Sequence, residues 1–76
     1  MTWTWKLNRY EAAPAEGVLL VVRFYQVGHP KHRRTWWEFR GYLQGQKALG
    51  GAERYPDAGA AKEAAEVAYK NRQRSE

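Results

Sequence analysis

The stretch Gly17-Val18-Leu19-Leu20-Val21-Val22-Arg23-Phe24-Tyr25-Gln26-Val27, read together with Thr35-Trp36-Trp37-Glu38-Phe39-Arg40-Gly41-Tyr42-Leu43-Gln44, decides the fold. Both segments are rich in β-branched and aromatic residues, and both alternate with a period of two, the signature of strands. In the first, Val18, Leu20, Val22 and Phe24 share one face, and Leu19, Val21, Arg23 and Tyr25 share the other. Apolar content on both faces marks a central strand. In the second, Trp37, Phe39 and Leu43 point one way, and Trp36, Glu38, Arg40 and Tyr42 the other. A one-residue slip would reverse every side chain, so the two parities must agree. Setting Phe24 opposite Trp37 places large apolar groups together on an inner face. It also sets Arg23 opposite Glu38 and Tyr25 opposite Trp36 on an outer face, pairs worth roughly 0.2–1 kcal/mol each.

Working outward, Thr2 to Tyr10 alternates as well, with Trp3, Trp5 and Leu7 on one side and Thr2, Thr4, Lys6 and Asn8 on the other, and reads as one half-buried strand. Glu11 to Gly17 contains Pro14 and Gly17 and reads as a loop. Gln46 to Tyr55, with Gly50-Gly51, reads either as a short fourth strand or as the end of the third strand and a turn. Pro56-Asp57 then opens a helix to about Arg72, with Asp57 as N-cap. Ala61, Ala64, Ala65 and Ala68, with Val67, make its apolar stripe. Glu66 and Lys70 stand at a favourable i,i+4 spacing, and residues 71–76 are expected to be a frayed polar tail. The expected architecture is α+β: one domain over 1–76, a three- or four-stranded antiparallel sheet packed on one C-terminal helix, in the order β-β-β-α. The expected core is Trp3, Trp5, Leu7, Leu20, Val22, Phe24, Trp37, Phe39, Leu43, Ala61, Ala65 and Ala68.

Composition is consistent with this plan. A chain of 76 residues holds one core and buries a modest share of its surface. It has no cysteine to staple it, but four Trp, five Tyr and two Phe. Each buried aromatic removes roughly 150–250 Å² from water. The longest apolar run, Val18 to Val22, is too short to span a bilayer. The start, Met1 to Lys6, lacks the pattern of a secretory leader. A cytoplasmic location, bacterial or in the host of a phage, is therefore expected. The absence of Ile and the abundance of Ala, Arg and Gly suggest a GC-rich bacterial or phage coding sequence.

Thirteen Lys and Arg against eight Asp and Glu leave a net charge of +5. That charge favours an anionic partner, although it also suffices simply to keep a small protein dissolved. The segment Gly28-His29-Pro30-Lys31-His32-Arg33-Arg34 puts Lys31, His32, Arg33 and Arg34 at a hairpin tip, where cations meet phosphates without desolvating the core. Lys6, Arg23 and Arg40 interleave with Tyr10, Tyr25, Trp36 and Tyr42 on the outer face, a pattern suited to backbone neutralisation and base stacking. The same aromatics and arginines suit a protein interface. His29 and His32 are too few for a closed zinc site, so no metal is expected. Catalysis has little support: Ser75 lies in the tail, no phosphate-binding glycine loop is present, and the carboxylates are scattered. No cofactor and no small-molecule substrate are expected.

Leu49-Gly50-Gly51-Ala52-Glu53-Arg54-Tyr55-Pro56-Asp57, followed by Ala60-Ala61-Lys62-Glu63-Ala64-Ala65-Glu66 and Tyr69, resembles the end of three-strand-plus-helix domains. Such domains occur in the AP2 family, in the arm-binding domains of phage integrases and in small phage-encoded proteins. The resemblance covers the second half of the chain and implies DNA binding by Arg and Trp on the sheet, at Arg23, Trp36 and Arg40. Glu38 among these residues, and the missing arginine-rich first hairpin, depart from that pattern. Small phage proteins of this shape include inhibitors of host defence complexes, such as anti-CRISPR proteins. The reading placed first is therefore a non-enzymatic nucleic-acid-binding protein. The alternative is a module that docks on a larger host protein complex. An uncovered edge strand could also support a homodimer.

Overall fold

A computed structural model describes residues 1–29, 31–51 and 53–75, with side chains to residue 73. Pro30 of the basic loop, Ala52 of the glycine-rich segment and Glu76 of the expected tail lie outside the described residues. The chain runs β1 (Thr4–Lys6), β2 (Arg9–Ala12), β3 (Val18–Val27), β4 (Arg34–Leu43), β5 (Gln46–Gly50) and α1 (Ala58–Ser75). The strands pair antiparallel in the order β1-β2-β3-β4-β5, and α1 packs on β4, β3 and β5. The fold is α+β, with five strands rather than three or four.

The β3–β4 register is the one that facial matching requires. Phe24 faces Trp37, Arg23 faces Glu38 and Tyr25 faces Trp36. Leu20 and Val22 are the largest fully buried side chains among the described residues. Val22 and Phe39 form one half of the core with Ala61 and Ala65; Leu20 forms the other with Ala12 and Tyr69. The helix therefore buries Ala61, Ala65 and Tyr69, an i, i+4, i+8 line. Val67, expected in that stripe, is half exposed because it lies off this line. The small alanines bring the helix axis close to the sheet, and Tyr69 closes the far end of the core. Asp57 caps the helix as expected: its Oδ1 accepts from the Ala60 amide at 2.8 Å. The helix continues to Ser75, through most of the stretch expected to be a tail.

The first strand departs from expectation. Thr2 to Tyr10 is not one strand but the hairpin β1–β2, which turns at Leu7 and Asn8. Leu7 has φ of 52° and is 95% exposed, so it belongs to a turn and not to the core. The two-residue turn also reverses the parity that follows it. Trp5 and Tyr10 pair on the inner face, while Lys6 and Arg9 pair on the outer. Trp5 touches Tyr10 edge-on at 4.8 Å but remains half exposed, beyond the reach of the helix. Trp3 reaches the core and donates from Nε1 to Glu66 on α1 at 2.9 Å. Glu11 and Ala12, expected in a loop, complete β2, and Ala12 is buried opposite Leu20.

Gln46–Gly50 resolves the open segment as a strand. Gln44 and Gly45, with φ of 52° and 81°, form the tight turn into it, and the pairing is bulged at Gly41/Tyr42. Gly41 is buried because a Cβ there would sit 2.8 Å from Leu49 and 3.1 Å from Leu20. The chain leaves the edge of β4 at Gly51 and returns at Tyr55, whose amide and carbonyl bond those of Trp37 at 2.8 Å each. This bridge sets the start of α1 beside Trp37. The outer end of the β3–β4 hairpin therefore projects past the helix, which leaves Phe24 40% exposed although it faces inward.

Candidate nucleic-acid interface

Antiparallel registers place side chains of directly opposed residues on one face, so the outer face can be read off row by row. One row runs Lys6, Arg9, Arg23, Glu38. The next runs Thr4, Glu11, Val21, Arg40, Gly50, and a third runs Leu19, Tyr42, Lys47. Toward the hairpin tip come Tyr25 with Trp36 and Val27 with Arg34. Of the expected site residues, Lys6, Arg23, Tyr25, Arg34, Trp36, Arg40 and Tyr42 thus share the face away from the helix. Lys31, His32 and Arg33 are exposed in the loop at its tip, where the His32 amide bonds the His29 carbonyl at 2.8 Å. Tyr10, expected on the outer face, is on the inner one, under Lys62, because of the turn at Leu7 and Asn8.

That turn also supplies residues that strand parity concealed. In an unbroken strand Arg9 would have pointed inward with Trp5; it points outward, directly opposite Arg23. Lys47 joins the face through β5, and Arg54 joins it by stacking over the Trp36 ring at 4.0 Å. Asn8 was the sequence signal for the break, since Asn tolerates the conformations of tight turns.

Both carboxylates that the strands place on this face, Glu11 and Glu38, are enclosed by cations and donors. Glu11 accepts from Arg9 Nε at 2.6 Å and lies 3.6 Å from Lys6 Nζ. The Arg9 hydrogen bond, helped by the charges of Arg9 and Lys6, holds the Glu11 carboxyl below its ordinary value of 4.5, against the opposing effect of burial. Glu38 accepts from Trp36 Nε1 at 2.6 Å and lies 3.9 Å from Arg40 Nη2. These acids order the cations rather than cancel the field of the face. The Nε of Arg40 is buried without a hydrogen-bond partner among the described residues.

Trp36 is less available for stacking than its sequence position suggests. It lies parallel to Tyr25 at 5.8 Å and carries Arg54 on its ring. Tyr25 in turn has Arg23 5.5 Å from its centroid. The result is a layered Arg–aromatic ladder, and guanidinium planes stack on bases as rings do. No helix is long and apolar enough to cross a membrane among the described residues. No family model, curated protein or solved structure matches this chain.

Proposed function

We propose that the chain is a non-enzymatic nucleic-acid-binding protein that uses the outer sheet face and the 28–34 loop. The observation that carries this reading is the row Lys6, Arg9, Arg23, with three cations side by side across β1, β2 and β3. Glu11 and Glu38 offset part of this charge, but two carboxylates stand beside more cations than they can neutralise, and like charges directly opposed in a sheet are destabilising, so a further anion would stabilise the row. A polyanion that runs across the strands would neutralise the row and extend to Arg40 and the loop cations. The residues that the AP2-like resemblance points to, Arg23, Trp36 and Arg40, fall on this same face.

The test is fluorescence anisotropy with labelled nucleic acid across a salt series. Affinity is expected to fall with a log–log slope of about −0.9 per neutralised phosphate on duplex and about −0.7 on single strands. Absence of binding to either form at ~50 mM salt would end the proposal.

A second reading has its own observation. Trp5 on the edge strand β1 and Phe24 on the projecting β3–β4 hairpin are large, exposed and on the helix side. Exposed aromatics of this kind suit docking on a larger protein, the mode of a phage-encoded inhibitor of a host defence complex. Capture from nuclease-treated host lysate separates the two: a protein that persists supports docking, and one lost with the nuclease supports nucleic acid.

A further inference from the structure

The outer face carries a concavity of about 720 Å³. Leu19 and Val21 form its floor, and the Ala13–Gly17 segment and Gly45 wall one end. Arg9, Arg23 and Arg40 line it with Tyr25 and Tyr42, against one carboxylate among its lining residues, Glu16. This is an unusual mixture for a surface that meets only phosphates. Duplex DNA presents a charged wall to a sheet and offers an aliphatic floor little beyond thymine methyl groups, since its base faces are stacked out of reach. An unpaired nucleotide has both parts: an apolar π-face and an anionic backbone. The volume falls within the range that holds a drug-sized ligand.

We infer that this groove is a seat for unpaired nucleotides. Bases lie over Leu19 and Val21 against Tyr42, with Tyr25 at the border of the groove, and the connecting phosphates are held by Arg9, Arg23 and Arg40. The inference rests on the nucleic-acid reading above and narrows it to single strands. It also gives the orphan Arg40 Nε an acceptor, a phosphate oxygen, after a small movement of the guanidinium. The ring of Tyr42 carries no aromatic partner within the core clusters and borders the groove, so it is the stacking platform that Trp36, under Arg54, is not.

The experiment compares labelled oligothymidine and oligouridine of ~12 nucleotides with a hairpin duplex of equal phosphate count, a length within the site sizes of sheet-based single-strand binders. Either single strand is expected to bind at least ~10-fold more tightly than the duplex, and Tyr42→Leu is expected to weaken single-strand binding by about tenfold, with Tyr25→Leu, whose ring is already stacked on Trp36, weakening it less. Glu16→Gln should tighten it. Circular dichroism identifies any variant that has lost its fold, and Glu16→Gln, exposed in a loop, keeps the test decisive in that case. Equal or tighter duplex binding, unaffected by the tyrosine substitutions, would overturn the groove and leave the nucleic-acid reading standing. No binding to any probe at low salt would overturn both.

Discussion

Trp3 and Glu66, 63 positions apart, are joined by a 2.9 Å hydrogen bond from the indole Nε1 to a carboxylate oxygen. The bond ties the segment before β1 to the middle of the helix, and adds to the hold that Tyr10, under Lys62, and Ala12, beside Tyr69, give the hairpin. Trp3→Phe keeps most of the packing and removes the donor. It is expected to cost about 1–2 kcal/mol in urea unfolding, since bonds to charged groups are worth about 1.5–3 and this one is partly exposed. Glu66→Gln, which retains an acceptor, should cost less.

Leu20 has no exposed surface and touches both Ala12 and Tyr69 in the core. Leu20→Ala is expected to destabilise by about 2–5 kcal/mol, a large part of the stability of so small a domain. Trp37→Ala, with Trp37 packed against Phe24 and Tyr10 but only half buried, should fall at the low end of the roughly 3–5 kcal/mol typical of core aromatics. Thermal unfolding followed by circular dichroism orders the two.

Leu7 combines φ of 52° with nearly complete exposure. A branched side chain there gains no burial, and its backbone conformation is one that glycine adopts without strain. Leu7→Gly is therefore expected to raise stability by about 1 kcal/mol, the reverse of what a core leucine would show. A loss of 2 kcal/mol or more would place Leu7 in a packed environment after all.

Arg9 and Arg23 matter more to binding than to stability. Arg23→Gln relieves the repulsion from Arg9 but also gives up the pairing with Glu38 and the contact with Tyr25, so stability should change by no more than a few tenths of a kcal/mol, while nucleic-acid binding weakens and its salt slope falls by about one phosphate. Loss of stability together with unchanged binding would refute the role of the row.

The pH profile should be flat between two limits. The Glu11 carboxyl is lower in the folded chain than its ordinary 4.5, so its contribution is present above that value and disappears as pH falls through the folded value. Glu11→Gln should remove that part of the acid dependence. At the other end, burial, reinforced by the hydrogen bond to Glu53, pushes the Tyr55 phenol from 10.0 up to about 12. Its contribution is complete below 10 and is lost as pH rises toward 12; Tyr55→Phe should flatten that limb. Both limbs can be followed by the midpoint of thermal unfolding.

Much of this fold was legible because β3 and β4 are long and sort their residues by face, so one register satisfied Phe24, Trp37, Arg23 and Glu38 together. The capped helix was equally plain from Asp57 and the alanine spacing. The β1–β2 hairpin was not, because leucine is a poor turn residue and the alternation of Trp3, Trp5 and Leu7 carries smoothly through it. Unbroken alternation would put Tyr10 outward and Arg9 inward, the reverse of the sides they take after the turn. Tyr69 stands at i+8 from Ala61, but the stripe of Ala61, Ala64, Ala65 and Ala68 with Val67 satisfies the helical period without it. Arg54 had no signal at all: its place over Trp36 depends on where the chain returns to β4 at Tyr55.

The alternation of Leu19, Leu20, Val21 and Val22 has a dynamic consequence. Leu20 and Val22 are locked beneath the helix, and the floor of the groove is the reverse side of the same four residues. Amide protons along this stretch and its partners in β4 should exchange with deuterium only on global opening, while those of Lys31, His32 and Arg33 and of β1 exchange through local fluctuation. A ligand would thus meet a rigid bed with pliant margins, and the entropy lost on capture would fall on the margins alone.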